Sequence, residues 1–262
     1  MKYWNYVRDY FSASLIKTVD LDPNRNYLIG VHPHGIAPFG SVLNFATEST
    51  CFSEKFPNIK PHLLVMSQSP RLPIWREFIL WAGIVSCSEN SIKYILNNEG
   101  GNVKEVGQAA FLIIGGISEQ YLSAPNQYRL YLNNRRGFAR VALETGTCLV
   151  PAFSFGENDT YKTLSLENCC IKSMEWIFKI LCCNTIRYRT PVFRGRCFSF
   201  VPFRKKLTMV IGKPIEVTKV EKPTSEQIDE LHDLYVKQLI CLYEEHKNTC
   251  IEDETKTSFL IV

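Results

Sequence analysis

Short apolar runs bounded by turn-forming residues alternate along this chain with stretches whose apolar positions recur at helical spacing. Residues 27–31, 63–66, 111–114, 148–155 and 207–211 are apolar, brief and bounded by Gly, Pro or Ser, and they read as buried strands. Residues 76–81, 91–96 and 138–145 read as helices, the last closing at Gly146 in the manner of a C-cap glycine. This alternation predicts an α/β fold with a mostly parallel central sheet flanked by helices. The clearest helix start is Pro223-Thr224, with Gln227 three residues after the threonine as in a capping box. Ile228, Leu231, Tyr235, Leu239 and Leu242 then form one apolar face. Beyond Lys247 the chain is polar until Phe259, which gives a single domain over residues 1–247 and a tail over 248–262 expected to be disordered.

Composition narrows the class. With 262 residues, 45% of them hydrophobic, the chain is long enough for one domain with a substantial core. Its ten cysteines do not read as a secreted disulfide framework. The first twenty residues lack a signal-peptide core, Cys169-Cys170 and Cys182-Cys183 are vicinal, and no Cys-x-x-Cys occurs, so the thiols are expected reduced and facing the cytosol. No run reaches the roughly 18 apolar residues of a membrane span; residues 78–85 and 176–183 are too short or carry a charge. The net charge of +4 is modest but uneven. Between Trp176 and Pro214 there is no Asp or Glu, while arginines and lysines alternate with aromatic residues. That pattern suits an anionic membrane interface, single-stranded nucleic acid, or simply a solvated face.

Polar loops follow three of the predicted strands. These are His32-Pro33-His34-Gly35, Gly115-Gly116-Ile117-Ser118-Glu119 and Gly156-Glu157. In an open α/β sheet, loops at the carboxyl ends of strands meet in one cleft. Histidine titrates nearest neutrality and suits it to take a proton from an alcohol. Pro33 biases His32 to extended backbone, and Gly35 permits a sharp turn. Gly115 and Gly116 can aim backbone N–H groups at an oxyanion, and Glu119 or Glu157 can orient an imidazole. Each fragment alone has an ordinary reading as loop, turn or surface residue. A metal site built on His-x-His wants further histidines on later strands, and the remaining ones are His62, His232 and His246. Gly-x-Ser-x-Gly, a P-loop and Gly-x-Gly-x-x-Gly are all absent.

The residues together resemble the type-2 diacylglycerol acyltransferases, with their monoacylglycerol and wax-alcohol acyltransferase relatives. The resemblance runs from Arg8-Asp9-Tyr10-Phe11 through His32-Pro33-His34-Gly35-Ile36, Pro73-Ile74-Trp75-Arg76-Glu77 and Gly115-Gly116 with Glu119. Its longest segment is Arg135-Arg136-Gly137-Phe138, Leu149-Val150-Pro151 and Phe153-Ser154-Phe155-Gly156-Glu157-Asn158, followed by Gly212-Lys213-Pro214-Ile215 and the terminal helix. It implies a glycerol-phosphate-acyltransferase-like fold with interfacial membrane-binding surfaces. It also implies esterification of a mono- or diacylglycerol hydroxyl by acyl-CoA at the cytosolic face of the endoplasmic reticulum membrane, with lipid droplets as a second site.

On that likeness the histidines are catalytic. The related glycerol-phosphate enzymes have an Asp five positions after their histidine, where this chain has Ala37 or Phe39. Glu119 is then the first-choice carboxylate and Glu157 the second. The choice between His32 and His34 stays open, with His32 favoured because it matches the lone histidine of those enzymes. Arg135 and Arg136 become partners for the phosphates of CoA. Acyl-CoA is a co-substrate, and no cofactor, metal or nucleic acid is expected. Partners are acyl-CoA, acylglycerol, a membrane surface and a homo- or hetero-oligomer with related acyltransferases. Two departures stand out: Ser12 replaces the family's usual Pro, and the chain starts close to Arg8 without the usual hydrophobic hairpin. The second leaves a rival reading, a catalytically weak lipid-binding or regulatory partner of a longer acyltransferase.

Overall fold

The computed structural model describes residues 2–67, 75–97, 107–163, 191–251 and 257–262. The chain opens with α1 (Lys2–Phe11), β1 (Ser14–Lys17), β2 (Tyr27–His32), α2 (Phe39–Phe45) and α3 (Phe52–Lys55). There follow β3 (Lys60–Val65), α4 (Trp75–Trp81), β4 (Val85–Ser86), α5 (Glu89–Asn97), β5 (Gln108–Ile113) and α6 (Gly116–Leu122). The second half comprises β6 (Gln127–Leu130), α7 (Gly137–Thr145), β7 (Cys148–Phe155), β8 (Lys162–Thr163) and β9 (Phe193–Arg194). It closes with β10 (Thr208–Ile211), α8 (Ser225–Cys250) and β11 (Ser258–Ile261). The apolar run at 176–183, the vicinal cysteines and the 176–190 part of the basic stretch lie outside the described residues.

Seven strands form one sheet in the order β1-β10-β7-β2-β5-β3-β4. Strands β7, β2, β5, β3 and β4 run parallel, and β10 is antiparallel to β7. The α/β fold with a mostly parallel sheet is as the residue pattern predicts. Every residue of β2 and of β7 is buried, as near-continuous apolar strands covered on both faces require.

Alternation along β2 sorts its side chains between two cores. Tyr27, Ile29 and Val31 join Phe111, Val150 and Met209 against the Phe45, Phe52 and Phe56 rings of α2 and the α3 region. Leu28 joins Ala110, Leu149, Phe153 and Val210 beneath α5, α7 and α8. Each Val, Leu, Ile, Phe or Met among them contributes about 1.5–3 kcal/mol by leaving water. Position 30 points toward α8, where any Cβ would collide with the Tyr235 hydroxyl, so this strand position requires glycine.

Helix α8 starts as its sequence predicts. Gln227 N–H donates to Thr224 Oγ1 at 3.3 Å, and Thr224 N–H donates to Gln227 Oε1 at 3.0 Å. Leu231, Tyr235, Leu239 and Leu242 are buried along its inner face. The expectation of a disordered tail is corrected at residues 257–262, because β11 pairs in parallel with β6 from Ser258↔Gln127 to Ile261↔Leu130. Phe259 stacks on Tyr243 with ring centroids 4.3 Å apart, so long-range packing overrides the polar composition before it. Among the described residues, no helix is long and apolar enough to cross a membrane. The described cysteines are free thiols.

Candidate active site

Parallel register brings three strand ends level. Val31 lies opposite Ile113 of β5, and His32 lies opposite Phe153 of β7. The loops that follow converge as the carboxyl-edge rule predicts. Glu119 comes from the first turn of α6 and Glu157 from the turn after β7.

His32 ends β2 on the face that looks toward α8, and its side chain is fully buried. Its Nδ1 is 3.4 Å from Glu119 Oε1, and its Nε2 is 3.1 Å from the Tyr235 hydroxyl. That hydroxyl donates to Gly30 O at 3.1 Å. Burial and the negative charge of Glu119 push the Tyr235 phenol well above its ordinary range, so it stays protonated. Both nitrogens of His32 are engaged inside the protein.

Glu119 is buried and folds back over Gly115, where a Cβ would collide with its carboxylate. Its Oε2 accepts the backbone N–H of His34 at 2.8 Å, and its Oε1 accepts that of Tyr131 at 3.1 Å. One carboxylate thus ties the histidine loop, the α6 turn and the segment after β6 together. Gly115 permits that close approach. Gly116, at φ +56°, has open space where its Cβ would be.

His34 is held differently. Its ring is half-buried, and its Nδ1 lies 3.0 Å from Gly35 O, to which it donates in the neutral tautomer. Among the described residues, none hydrogen-bonds its Nε2. Burial lowers its pKa from the usual 6.5, opposed by Gly35 O and by the charge of Glu119. A neutral imidazole with Nδ1–H pinned has its Nε2 lone pair available as a base.

Glu157, the second-choice carboxylate, hydrogen-bonds neither imidazole. It accepts the Gly40 N–H at 3.1 Å from both oxygens and the Ser154 hydroxyl at 2.6 Å. Gly35, at φ +62°, packs against its side chain. Glu157 therefore braces the end of the histidine loop and the start of α2. Burial raises its pKa from 4.5 to about 7, against the lowering effect of those hydrogen bonds. Between these values the folded chain keeps a proton that the unfolded chain has released. Stability consequently falls as pH rises across that window, by about 3 kcal/mol, and is level above it. Urea unfolding at pH 5 and pH 8 should show this loss in the parent and a flatter profile in Glu157→Gln. Equal slopes in both would exclude a neutral Glu157.

The two arginines separate. An Arg135 NH2 group reaches Gly115 O at 3.3 Å and Ser118 Oγ at 3.4 Å, with the guanidinium 5.2 Å from the Tyr131 ring centroid. Arg136 instead faces α8, donating to Asp229 at 2.6 Å and meeting His232 Nε2 at 2.9 Å. Arg135 lies against the α6 turn that carries Glu119, whereas Arg136 fastens the start of α7 to α8. The remaining histidines are dispersed: His62 meets Gln108 at 2.7 Å, and His246 meets Leu242 O at 3.1 Å. Sequence reasoning missed Tyr235, Tyr131 and Ser154 as parts of the site. Tyr235 sits within an apolar stripe, and its one available signal is that a buried tyrosine hydroxyl needs a partner.

Comparison with known proteins adds an independent line. A sequence model described as "Diacylglycerol acyltransferase" matches residues 1–260. Diacylglycerol O-acyltransferase 2 of Danio rerio is 38% identical over 97% of this chain and 70% of that protein. Acyl-CoA wax alcohol acyltransferase 1 of Homo sapiens is 36% identical over 98% of this chain and 77% of that protein. For 2-acylglycerol O-acyltransferase 1 of Bos taurus the identity is 39%, over 93% of this chain and 72% of that protein. A solved structure of the 1-acyl-sn-glycerophosphate acyltransferase PlsC from Thermotoga maritima aligns with a TM-score of 0.49 at 10% identity, covering 93% of this chain and 77% of that one. The match over residues 1–260, with these identities across nearly the whole chain, means that the chain belongs to the diacylglycerol acyltransferase family.

Proposed function

We propose that the protein transfers an acyl group from acyl-CoA to the hydroxyl of a mono- or diacylglycerol, with His34 as the general base. The observation that carries the choice of base is the contrast between the two imidazoles. His32 has both nitrogens occupied in a buried site, while His34 has Nδ1 fixed and Nε2 unclaimed among the described residues. This reverses the preference for His32 drawn from motif position.

In this mechanism Nε2 of His34 takes the proton of the acceptor hydroxyl as its oxygen bonds to the thioester carbonyl carbon. Backbone N–H groups of Gly35 and of the first turn of α6 donate to the oxyanion. Collapse of the tetrahedral intermediate breaks the C–S bond. A thiolate leaves more readily than an alkoxide, and it takes up the proton held on His34. Glu119 and His32 position the loop, and Arg135, against the α6 turn, is the partner for a CoA phosphate. The resemblance to the family supports locating the reaction at the cytosolic face of the endoplasmic reticulum membrane, with lipid droplets as a second site.

The direct experiment supplies the purified chain with labelled acyl-CoA and, in turn, monoacylglycerol, diacylglycerol and a long-chain alcohol. Labelled di- or triacylglycerol is the expected product. Product from the long-chain alcohol alone would move the acceptor out of the glycerolipids. Label retained on the protein after an acid quench would replace direct transfer with a covalent acyl-enzyme.

A further inference from the structure

Three described segments come together away from the histidine cleft. The Tyr10 hydroxyl of α1 donates to Pro202 O at 2.6 Å, and Arg204 Nε donates to Tyr10 O at 3.2 Å. The segment around residues 194–206 is thereby fastened along α1. On the other flank Trp4 meets Phe78 of α4 at 6.2 Å between ring centroids. The joined surface leaves large apolar side chains in water. Tyr3 is 68% exposed, Tyr6 75%, Trp81 60% and Phe200 75%, with Leu80 and Val201 also exposed. Tyr3, Tyr6 and Tyr10 stand at i, i+3 and i+7, hence on one side of α1. Contiguous exposed aromatic surface of this kind marks an interaction site rather than ordinary surface scatter.

Its charge identifies the partner. The acids of these three segments are Asp9 and Glu77, each ion-paired with the arginine beside it at 2.7 Å. Lys2, Arg196, Arg204, Lys205 and Lys206 are exposed around the apolar residues. Aromatic side chains framed by cations fit the headgroup region of an anionic bilayer, where rings enter the interface and lysines meet phosphate.

The surface also connects to the cleft. Phe200 meets Phe193 at 5.9 Å, Phe193 meets Tyr161 at 4.8 Å, and Tyr161 stacks on Phe39 at 6.2 Å. Phe39 directly precedes Gly40, the residue bonded to Glu157. A row of rings thus runs from the exposed rim to the loop that carries His34.

We infer that α1, α4 and the 196–206 segment form a docking surface for anionic membrane, placed so that the aromatic row joins the bilayer to the site. The purpose of this surface rests on the acyl-transfer reading, but its test does not. Sedimentation with vesicles of phosphatidylcholine alone, or carrying about a third phosphatidylserine, reads binding of the 262-residue chain directly. Binding is expected to the anionic vesicles, weakening with added salt as the Debye length shrinks. Lys205→Gln with Lys206→Gln should weaken it about 25-fold, at about fivefold per lost cation. Tyr6→Ser with Trp81→Ser should weaken binding to both vesicle types. In detergent micelles, where docking is not needed, both double variants should keep parental acyl transfer.

Equal binding of parent and both variants would overturn the inference, as would failure of the parent to bind anionic vesicles. Loss of self-association in the variants, without a change in vesicle binding, would assign the surface to a second copy instead. A parent that docks but makes no product in micelles would count against the acyl-transfer reading alone.

Discussion

Replacing His34 with alanine is expected to lower kcat by roughly 10²- to 10⁴-fold, the usual contribution of a positioned general base, with thermal stability close to that of the parent. The imidazole is half-buried and makes one local hydrogen bond, to Gly35 O. Little of the fold depends on it. Because KM reflects contacts elsewhere in the cleft, the change should fall mainly on kcat. The sign of the pH dependence follows from the same environment. Burial lowers the His34 pKa from 6.5, and only the neutral ring accepts a proton. The rate should therefore rise with pH through a midpoint below 6.5 and then level off. The limb belonging to His34 should vanish in the alanine variant. His32→Ala supplies the contrast, since removing a fully buried ring between Glu119 and Tyr235 should cost stability as well as activity. A stable His32→Ala protein without activity, beside an active His34→Ala protein, would assign the base to His32.

The second large effect is expected at Glu119. Alanine there would strip the acceptor from the His34 and Tyr131 N–H groups and from His32, next to the fully buried His32 ring. Orphaning a buried set of this kind costs about 3–5 kcal/mol, so the melting temperature should drop by about 10 °C or more for a chain of this size. Glu119→Gln keeps the volume and one accepting oxygen and should lose less. Unfolding in denaturant, with acyl transfer measured on the fraction still folded, separates the two consequences. A melting temperature unmoved by the alanine would remove Glu119 from its place as the knot between the loops.

How much of this was legible beforehand depended on the range of the forces involved. The strands around Ile29, Phe111 and Val150 are buried on both faces, so their local sequence carries the signal by itself. Thr224 and Gln227 likewise announce the start of α8, because a capping box is made by neighbours in sequence. The convergence of His34 and Glu119 followed from a topological rule about strand ends. The division of labour between His32 and His34 did not. It depends on Tyr235, about two hundred residues away, reaching over Gly30. Nor was β11 visible, because four residues become a strand only when β6 and the Tyr243 ring are already in place. Glu157 reads from the sequence as the second-choice carboxylate to orient an imidazole, yet its partners are a backbone N–H and a serine.

The strand that closes the chain bears on how variants should be built. The carbonyl of Val262 accepts the N–H groups of Leu132 at 3.0 Å and Asn133 at 3.1 Å, immediately after the Tyr131 N–H that Glu119 accepts. The segment between β6 and α7 is clamped on one side by the Glu119 carboxylate and on the other by Val262 just after β11. Deleting residues 258–262 is therefore expected to loosen the segment that presents the Tyr131 N–H to Glu119, although it removes no residue of the histidine loop.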